Sequence, residues 1–423
     1  MNPYILDRPK NGKAGSRPKV VDLFCGVGGI SLGFFNAGFD VRLGMDLDGA
    51  CAKTHRRNFP QTPFIHADIR DVSASEILEK ADIRPGELDV LVGGPPCQGF
   101  SIIGQRKILD PRNSLIRQFM RIARELRPKV LVIENVPGLA TLERGAVLAE
   151  IADSFRSAGY SIDCAELLAA QYGVPQMRWR MFFVGWRNDL KANGGFPAPT
   201  HGIAGIGDLV PNRAIPSELT SGFVTIREAI GDLPAVSAGE TNADYSGPGA
   251  GEYQEAMRKG ASRELANHYA PRLAPQNIAR IQMLAPGEDW RALPFEMLPA
   301  GMQRAHRKDH TRRFRRMQWE GVARAIITRF RDPKSGEYIH PEQDRTISIR
   351  EAARIQSFPD WFVFEGSNSE QYDQVGNAVP PLLAKAVALE INAMLASDQP
   401  VWREPVKCRY RMPVPSEFIQ AAE

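Results

Sequence analysis

Short apolar runs that do not alternate with polar residues constrain the fold of this chain most strongly. Residues 20–24, 90–92 and 130–133 are such runs, and each is followed by a glycine-rich or charged segment. Runs of this kind are typical of strands buried on both faces of a parallel sheet. Further strands are predicted at residues 41–45, 64–67, 161–168 and 181–186. Helical patterns separate most of them, so we expect an α/β fold with a doubly wound, mostly parallel sheet.

The segment 88–101, LDVLVGGPPCQGFS, places a cysteine at the carboxyl edge of that sheet. Two glycines end the strand, and two prolines then fix φ and remove backbone donors, so Cys97 lies on a stiff turn. Open α/β sheets bind their ligands at this edge. A thiol there is a candidate nucleophile if its pKa is lowered. The alternative is a buried structural cysteine.

A glycine loop follows the first strand. Residues 25–29, CGVGG, lead into a helix that opens near residues 30–32, an arrangement that can hold a nucleotide or a cofactor. The dinucleotide pattern GxGxxG fails because Ser31 stands at its last glycine, which disfavours a dehydrogenase. Asp46 ends the next strand, where an acid can accept hydrogen bonds from ribose hydroxyls. Asp46 could equally be a surface acid at a strand end.

Two further segments carry polar side chains that could do chemistry. Glu134 ends a buried strand, and a carboxylate there is costly without a proton or a partner, so it is a functional candidate. Gln176, Arg178 and Arg180 alternate with a period of two and should face one way. Guanidinium groups in that arrangement suit carbonyl or phosphate oxygens. A plain surface strand would show the same spacing.

The positive charge is concentrated in one segment. The net charge is +4, yet residues 302–331 contain ten Lys or Arg and two acids. Phe314, Trp319 and Phe330 lie among them. A basic patch with interleaved aromatic residues suits a phosphate backbone, although a solvated basic face is also compatible.

The cysteine content and the hydropathy of the chain indicate its cellular compartment. Five scattered cysteines without a C-x-x-C pair argue against a disulfide framework or a thiolate zinc site, and favour a reducing compartment. The N-terminus lacks an apolar signal region, and no apolar run approaches membrane-spanning length. We therefore expect a cytoplasmic protein without a metal site or a membrane partner.

The composition changes near residue 190. Residues 191–260 are rich in Gly, Pro, Ala and Ser, and we place a second domain at residues 190–371. Residues 1–18 are expected to be a loosely ordered leader, and residues 397–423 form a C-terminal extension. A last apolar helix is predicted at residues 382–395.

Five motifs occur in a particular order along the chain. They are DLFCGVGG at 22–29, GPPCQGFS at 94–101, ENV at 134–136, QMRWR at 176–180 and QVGNAV at 374–379. In this order they resemble the DNA (cytosine-5) methyltransferases, especially the bacterial members. The likeness extends from residue 19 to about residue 395, apart from residues 190–260.

The resemblance implies a fold and a cofactor. The fold is the Rossmann-like sheet of S-adenosylmethionine-dependent methyltransferases with a smaller target-recognition domain. The last helix returns to the large domain, so the catalytic domain is discontinuous and comprises 19–189 plus 372–396, with recognition assigned to 190–371. Asp46 would bind the ribose hydroxyls of S-adenosylmethionine, and Asp68 its adenine amino group. The residues implied to contact this cofactor are Phe24, Gly26, Gly28, Gly29, Asp46, Asp68, Ile69, Pro96, Leu115, Asn377 and Val379.

The resemblance also implies a mechanism. Cys97 adds to C6 of cytosine and makes C5 nucleophilic, and a protonated Glu134 donates to N3. Arg178 or Arg180 holds O2, with Arg180 the implied base contact. The cytosine must leave the duplex first, as in other base-flipping enzymes. The residues expected to bind DNA are Gln98, Ser101, Gln176, Arg312, Arg313, Arg315 and Arg316.

Alternatives to a DNA methyltransferase stay open at this point. The same chemistry could act on tRNA, although the long segment 190–371 favours a sequence-reading domain. A regulator with a silent methyltransferase fold is disfavoured by intact Cys97, Glu134 and Arg180. We expect a monomer that acts on double-stranded DNA, either alone or alongside an independent restriction endonuclease.

Overall fold

The computed structural model describes residues 2–9, 17–96, 114–139, 146–190, 195–202, 221–245, 247–304 and 312–396. The chain divides into two compact units. The sheet unit comprises Pro9–Tyr172, Trp179–Gly222 and Pro381–Glu423, and the second unit comprises Met1–Arg8, Gly173–Arg178 and Phe223–Pro380. The assignment of catalysis to residues 19–189 plus 372–396 and of target recognition to residues 190–371 stays a prediction.

Strands and helices alternate through the first half of the chain. Their order is β1 (Lys19–Leu23), α1 (Gly29–Asn36), β2 (Asp40–Asp46), α2 (Gly49–Asn58), β3 (Phe64–His66), α3 (Ala74–Ala81), β4 (Val90–Gly93), α4 (Ser114–Leu126), β5 (Val130–Asn135), α5 (Ala146–Ser157), β6 (Tyr160–Leu168), β7 (Gln176–Met177) and β8 (Trp179–Arg187). The later elements are α6 (Ile226–Ile230), α7 (Glu252–Arg258), α8 (Pro275–Gln282), α9 (Ala300–Gln303), β9 (Ala323–Arg324), α10 (Ile349–Ile355), α11 (Asn368–Asn377) and α12 (Pro381–Ala396).

The sheet unit is built on seven strands in the order β3-β2-β1-β4-β5-β8-β6. The four pairs from β3 to β5 are parallel, whereas β8 is antiparallel to both of its neighbours. The predicted α/β, mostly parallel fold class is therefore confirmed. The reversal of β8 was not predicted. It follows from the chain between β6 and β8, which holds no α-helix that could cross the sheet and return the strand in parallel.

The strand order changes direction at β1 and β4. From β1 the chain moves outward to β2 and β3, and β4 then returns to the other side of β1. Ligands of doubly wound sheets bind at such a switch point, outside the carboxyl ends of the strands. The glycine loop follows β1 and the Gly-Gly-Pro-Pro turn follows β4, so the topology brings these two motifs to one edge.

Burial explains why the central strands are continuously apolar. Every residue of β4 and of β5 is buried. The helices α3, α4 and α5 contribute apolar faces to the same core, as Ile77, Phe119 and Phe155 show by their complete burial. Burying one such side chain contributes roughly 1.5–3 kcal/mol.

Helices α1 and α12 pack closely at Gly33. A Cβ atom on Gly33 would lie 2.5 Å from Cβ of Ala384 and 2.6 Å from the backbone nitrogen of Lys385. We expect Gly33→Ala to lower the free energy of urea unfolding by about 1–3 kcal/mol, because overpacking forces the helices apart. The matched control is Gly301→Ala in α9, where a Cβ meets no atom within 4 Å. That variant should be as stable as the wild type or slightly more stable, and equal losses in both would contradict the packing argument.

The N-terminal residues belong to the second unit. Leu6 is 2% exposed, and its carbonyl accepts a hydrogen bond from Nε1 of Trp361 at 3.1 Å. The Arg8 guanidinium lies over the Trp361 ring at 5.3 Å and donates to the Trp361 carbonyl. The expectation that residues 1–18 are loosely ordered is wrong for residues 2–8, because an apolar side chain and a tryptophan anchor them.

One stretch among the described residues, Asn368–Ala396, is long and apolar enough to cross a membrane by length and composition. The expectation that no run approaches that length is therefore wrong. Of its most apolar window, 56% is buried. Since core helices of soluble proteins pass the same test, the stretch is weak evidence for a membrane.

Candidate active site

The glycine loop after β1 has an unusual backbone. Phe24, Gly26 and Gly28 all have positive φ, at 59°, 53° and 95°. A Cβ on Gly28 would lie 2.6 Å from the Phe59 ring, whereas one on Gly26 would meet no atom within 4 Å. A non-glycine residue such as Phe24 adopts this conformation at a cost, which is typical of functional loops. The loop therefore packs against the core at Gly28, whereas there is free space next to Gly26. Gly29 begins α1 and is buried.

Asp46 holds this loop in place. Its carboxylate accepts hydrogen bonds from the backbone nitrogens of Gly26 at 2.8 Å and Asp48 at 2.9 Å. Burial raises the pKa of Asp46 above its usual value. The next residue, Leu47, is 64% exposed. Sequence reasoning did not single out Leu47.

Asp22 is a second acid near the loop that sequence reasoning did not single out. It is fully buried in β1, and Ser31 Oγ donates to its Oδ2 at 2.6 Å. Among the described residues its Oδ1 has no hydrogen-bond partner. Burial raises the pKa of Asp22 to about 7. An aspartate in an otherwise apolar strand is the signal that marks it.

Asp68 follows β3 and already has a partner. Its carboxylate accepts hydrogen bonds from the Arg70 guanidinium, at 3.0 Å from Nε and 2.5 Å from Nη2, and from the Arg70 backbone nitrogen. These interactions lower the pKa of Asp68 to about 2. Ile69 is 3% exposed and packs in the core of the sheet unit. Their predicted contacts with a cofactor stay predictions.

Glu134 and Arg180 form an ion pair across the adjacent strands β5 and β8. The Nε atom of Arg180 lies 2.8 Å from Oε1 of Glu134, and the two side chains are 14% and 10% exposed. Burial lowers the pKa of Arg180, and the Glu134 carboxylate opposes that shift. A carboxylate at the end of a buried strand needs a partner, and the structure identifies this partner as Arg180.

The turn after β4 lies beside this ion pair. Asn135 Nδ2 donates to the Pro95 carbonyl at 3.1 Å, which ties the turn to the end of β5. A Cβ on Gly94 would lie 3.1 Å from Oε2 of Glu134, so glycine leaves room for the carboxylate. Pro96 is exposed at the end of the described segment. The predicted site residues Cys97, Gln98 and Ser101 lie outside the described residues, with Cys97 directly after Pro96.

Gln176 and Arg178 belong to a different unit from Arg180. Gln176 is fully buried in the second unit, where its Nε2 donates to the Ile355 carbonyl and to Gln356 Oε1. Arg178 is 2% exposed and donates to three backbone carbonyls of the same unit. These carbonyls belong to Ile326 (2.5 Å), Gly376 (3.1 Å) and Ala378 (3.1 Å). Both side chains therefore hold the second unit together, whereas Arg180 pairs with Glu134 in the sheet unit.

The three remaining predicted cofactor residues lie in different settings. Leu115, near the start of α4, is partly buried against the core of the sheet unit. Asn377 ends α11 with an exposed side chain, and Val379 is 9% exposed, both in the second unit. Their roles stay predictions.

The basic segment is only partly available to a ligand. Arg316 is 4% exposed, and its guanidinium donates to the carbonyls of Ile281 and His340 and to Asp344. Phe314 and Phe330 are fully buried core residues, so they are not the exposed aromatic residues that the pattern suggested. Arg312, Arg313 and Arg315 are more exposed than Arg316.

Comparisons with known proteins identify the family of this chain. A family model described as C-5 cytosine-specific DNA methylase matches residues 18–393. Type II methyltransferase M.AgeI of Thalassovita gelatinovora is 34% identical, with 89% of this chain and all of the relative covered. Type II methyltransferase M.DdeI of Desulfomicrobium norvegicum is 35% identical, with 88% of each chain covered.

Solved structures share the fold. A protein described as a prophage-encoded DNA modification methyltransferase (E. coli) superposes with a TM-score of 0.68 at 27% identity, covering 90% of this chain and all of that one. The S. pombe Dnmt2 methyltransferase gives 0.54 at 18% identity, covering 90% and 98%, which shows likeness of fold alone. With the motifs, the switch-point topology and a family model that spans most of its length, the chain belongs to the C-5 cytosine-specific DNA methylases.

Proposed function

We propose that the sheet unit binds S-adenosylmethionine and that Cys97, Glu134 and Arg180 act on a cytosine flipped out of duplex DNA. Family membership confirms the predicted activity, DNA (cytosine-5) methylation. The cofactor, the residue roles and the DNA contacts are the proposed part. The observation that carries them is the buried Glu134–Arg180 ion pair beside the turn that leads to Cys97.

The residues around the glycine loop fit S-adenosylmethionine. When bound, this cofactor supplies a methyl group on a positively charged sulfonium. The loop is open at Gly26, and Asp46 lies beside it with lone pairs that can accept hydrogen bonds from ribose hydroxyls. Asp22 adds a buried oxygen that no described group satisfies, and Leu47 adds exposed apolar surface. Buried acids favour a cationic ligand, and apolar surface favours a purine ring.

The mechanism follows from what each side chain can donate or accept. The Cys97 thiolate forms a bond to C6 of cytosine, which raises the electron density at C5. Negative charge then develops on the ring, and Glu134 in its protonated form offsets it by delivering a proton to N3, which leaves the carboxylate that pairs with Arg180. Arg180 orients the Glu134 carboxyl group and, with its remaining N–H groups, can donate to O2. Once C5 carries the methyl group, loss of its proton to a base lets the bond to Cys97 break, and the aromatic ring is restored.

The activity is tested by incubating the protein with tritiated S-adenosylmethionine and either duplex DNA or tRNA. We expect label in DNA and none in tRNA. Label in tRNA alone would overturn the assignment of DNA as substrate, and label in neither would favour a silent regulator. Bisulfite sequencing of DNA from an expressing host then identifies the recognised sequence.

The relatives named type II methyltransferases suggest a biological setting. We propose that this protein methylates DNA as a monomer in the cytoplasm. We further propose that it protects that DNA from a restriction endonuclease that acts independently of it.

Asp46 provides a direct test of the cofactor site. We expect Asp46→Asn to weaken binding of S-adenosylmethionine about 10- to 100-fold, because hydrogen bonds to a charged group contribute about 1.5–3 kcal/mol. Isothermal titration calorimetry without DNA measures this. The matched control is Asp40→Asn at the opposite end of β2, where the carboxylate pairs with Arg42. Unchanged affinity in Asp46→Asn, or equal loss in the control, would contradict the proposed site.

A further inference from the structure

Three arginines of the second unit converge on one carboxylate oxygen. Oε2 of Glu337 lies 3.1 Å from Nη1 of Arg312, 3.2 Å from Nε of Arg315 and 3.8 Å from Nε of Arg324. The Glu337 side chain is 10% exposed, whereas those of Arg312 and Arg324 are 42% and 39% exposed. We call these four residues the Glu337 cluster. The Glu337 carboxylate is therefore nearly buried, whereas the arginines that contact it are partly exposed to solvent.

The Glu337 cluster carries more positive than negative charge. Its three guanidinium groups share one carboxylate, and the nearest second acid, Asp289, lies 3.7 Å from Arg315. Asp289 is itself paired with Arg291. Burial and the neighbouring charge of Arg312 lower the pKa of Arg324, and Glu337 opposes this only in part. An anion bound at the exposed side would relieve the repulsion among the arginines.

The position of the cluster connects it with the catalytic segment of the chain. Arg324 ends β9, which pairs in parallel with β7 so that Arg324 lies opposite Met177. Arg180, the partner of Glu134, follows Met177 by three residues in sequence. The cluster is thus attached to the segment that continues directly into the strand carrying Arg180. A surplus of guanidinium groups on this unit suits the phosphate backbone of a nucleic acid.

We propose that Arg312, Arg315 and Arg324 bind a phosphate of the DNA backbone, and that Glu337 is a built-in competitor that occupies the arginines when DNA is absent. The inference rests on the proposed function and names part of its DNA surface. Guanidinium forks match phosphate oxygens as well as carboxylate oxygens, so a phosphate can take the place of Glu337. Because the arginines must give up an internal partner, Glu337 weakens binding to every duplex regardless of its sequence. Glu337 thereby shortens the time spent on DNA that lacks the recognised site.

The test measures binding of the full-length protein to a fluorescein-labelled duplex of mixed sequence by fluorescence anisotropy over a range of NaCl concentrations, without cofactor. We expect Glu337→Gln to tighten binding about 3- to 10-fold at low salt and to steepen the dependence of log K on log salt. We expect Arg324→Gln to weaken binding and to reduce that slope by about one. An acid with a purely structural role would give the opposite sign, because its loss would only disorder the arginines.

The matched control is Glu320→Gln, which changes the net charge equally within the same basic segment. Glu320 is 74% exposed and pairs with Arg227, not with the Glu337 cluster. We expect nearly wild-type binding in this control. Equal tightening in Glu320→Gln, or unchanged or weaker binding in Glu337→Gln, would overturn the proposal.

A variant that fails to fold does not block the test. If Glu337→Gln has a lowered unfolding midpoint, the salt slope of Arg324→Gln decides, and an unchanged slope overturns the proposal. The tritium assay of the wild type reports separately on the proposed function. If the wild type transfers methyl groups to DNA but the salt slope of Arg324→Gln is unchanged, only the phosphate site is overturned. If the salt slopes change as expected but the wild type transfers no methyl group, only the proposed reaction is overturned.

Discussion

The Cys97→Ser variant is expected to lose methyl transfer by about four orders of magnitude or more while binding S-adenosylmethionine normally. A hydroxyl at this position is far less ionised than a thiol and is a much weaker nucleophile towards C6. Without the bond to C6, C5 of cytosine does not become reactive. Cofactor binding should persist because Asp46 and the glycine loop are unaltered. Tritium transfer and calorimetry measure the two effects.

A mechanism-based probe separates loss of the nucleophile from loss of folding. On DNA that contains 5-fluorocytosine, C5 carries fluorine in place of the departing proton, so the bond to Cys97 cannot break. Wild-type protein should form an adduct that survives a denaturing gel, and Cys97→Ser should form none. The matched control is Cys51→Ser in α2, which should keep both turnover and the adduct. Turnover in Cys97→Ser, or an adduct with it, would remove Cys97 from the mechanism.

The Glu134→Gln variant is expected to lower the single-turnover rate about 10²- to 10⁴-fold at saturating DNA and cofactor. An amide preserves much of the shape but does not deliver a proton to N3, which general acid catalysis requires. It also leaves Arg180 without its carboxylate partner at 2.8 Å. We expect DNA affinity to change much less than the rate, because contacts to the phosphate backbone supply most of the affinity for DNA.

The control for this variant is Glu150→Gln, which breaks the exposed ion pair with Arg117 in the same unit. That change should leave the rate unaltered. Unfolding midpoints of both variants show whether the loss of the buried pair has also destabilised the protein, since breaking such pairs is costly. A rate for Glu134→Gln within about tenfold of the wild type would contradict the proposed role of the proton.

Much of the sheet could be predicted from the sequence. The central strands β4 and β5 are buried on both faces, and this burial imposes the apolar runs from which they were predicted. The order of the motifs predicted the family and the DNA methyltransferase activity, and both are confirmed. The direction of β8 could not be read in the same way, because an apolar run does not encode which way a strand enters the sheet.

The partners of the polar side chains were harder to predict. A period of two predicted that Gln176, Arg178 and Arg180 face one way, but it does not show that the chain leaves the second unit before Arg180. The need of Glu134 for a partner could be argued from burial, whereas the identity of Arg180 depends on strand pairing. Arg316 illustrates a further limit, since a basic run does not reveal which guanidinium is buried against backbone carbonyls.

The second unit consists of Met1–Arg8, Gly173–Arg178 and Phe223–Pro380, and this composition matters for any attempt to transplant the unit into another enzyme. A gene fusion that transplants only Phe223–Pro380 would leave Gln176, Arg178 and the residues around Leu6 behind in the donor enzyme. The buried backbone carbonyls that Gln176 and Arg178 contact, and the Trp361 side chain that contacts Leu6, would then pack against different side chains in the host enzyme. A workable chimera has to carry the internal hexapeptide and the first eight residues together with the long segment.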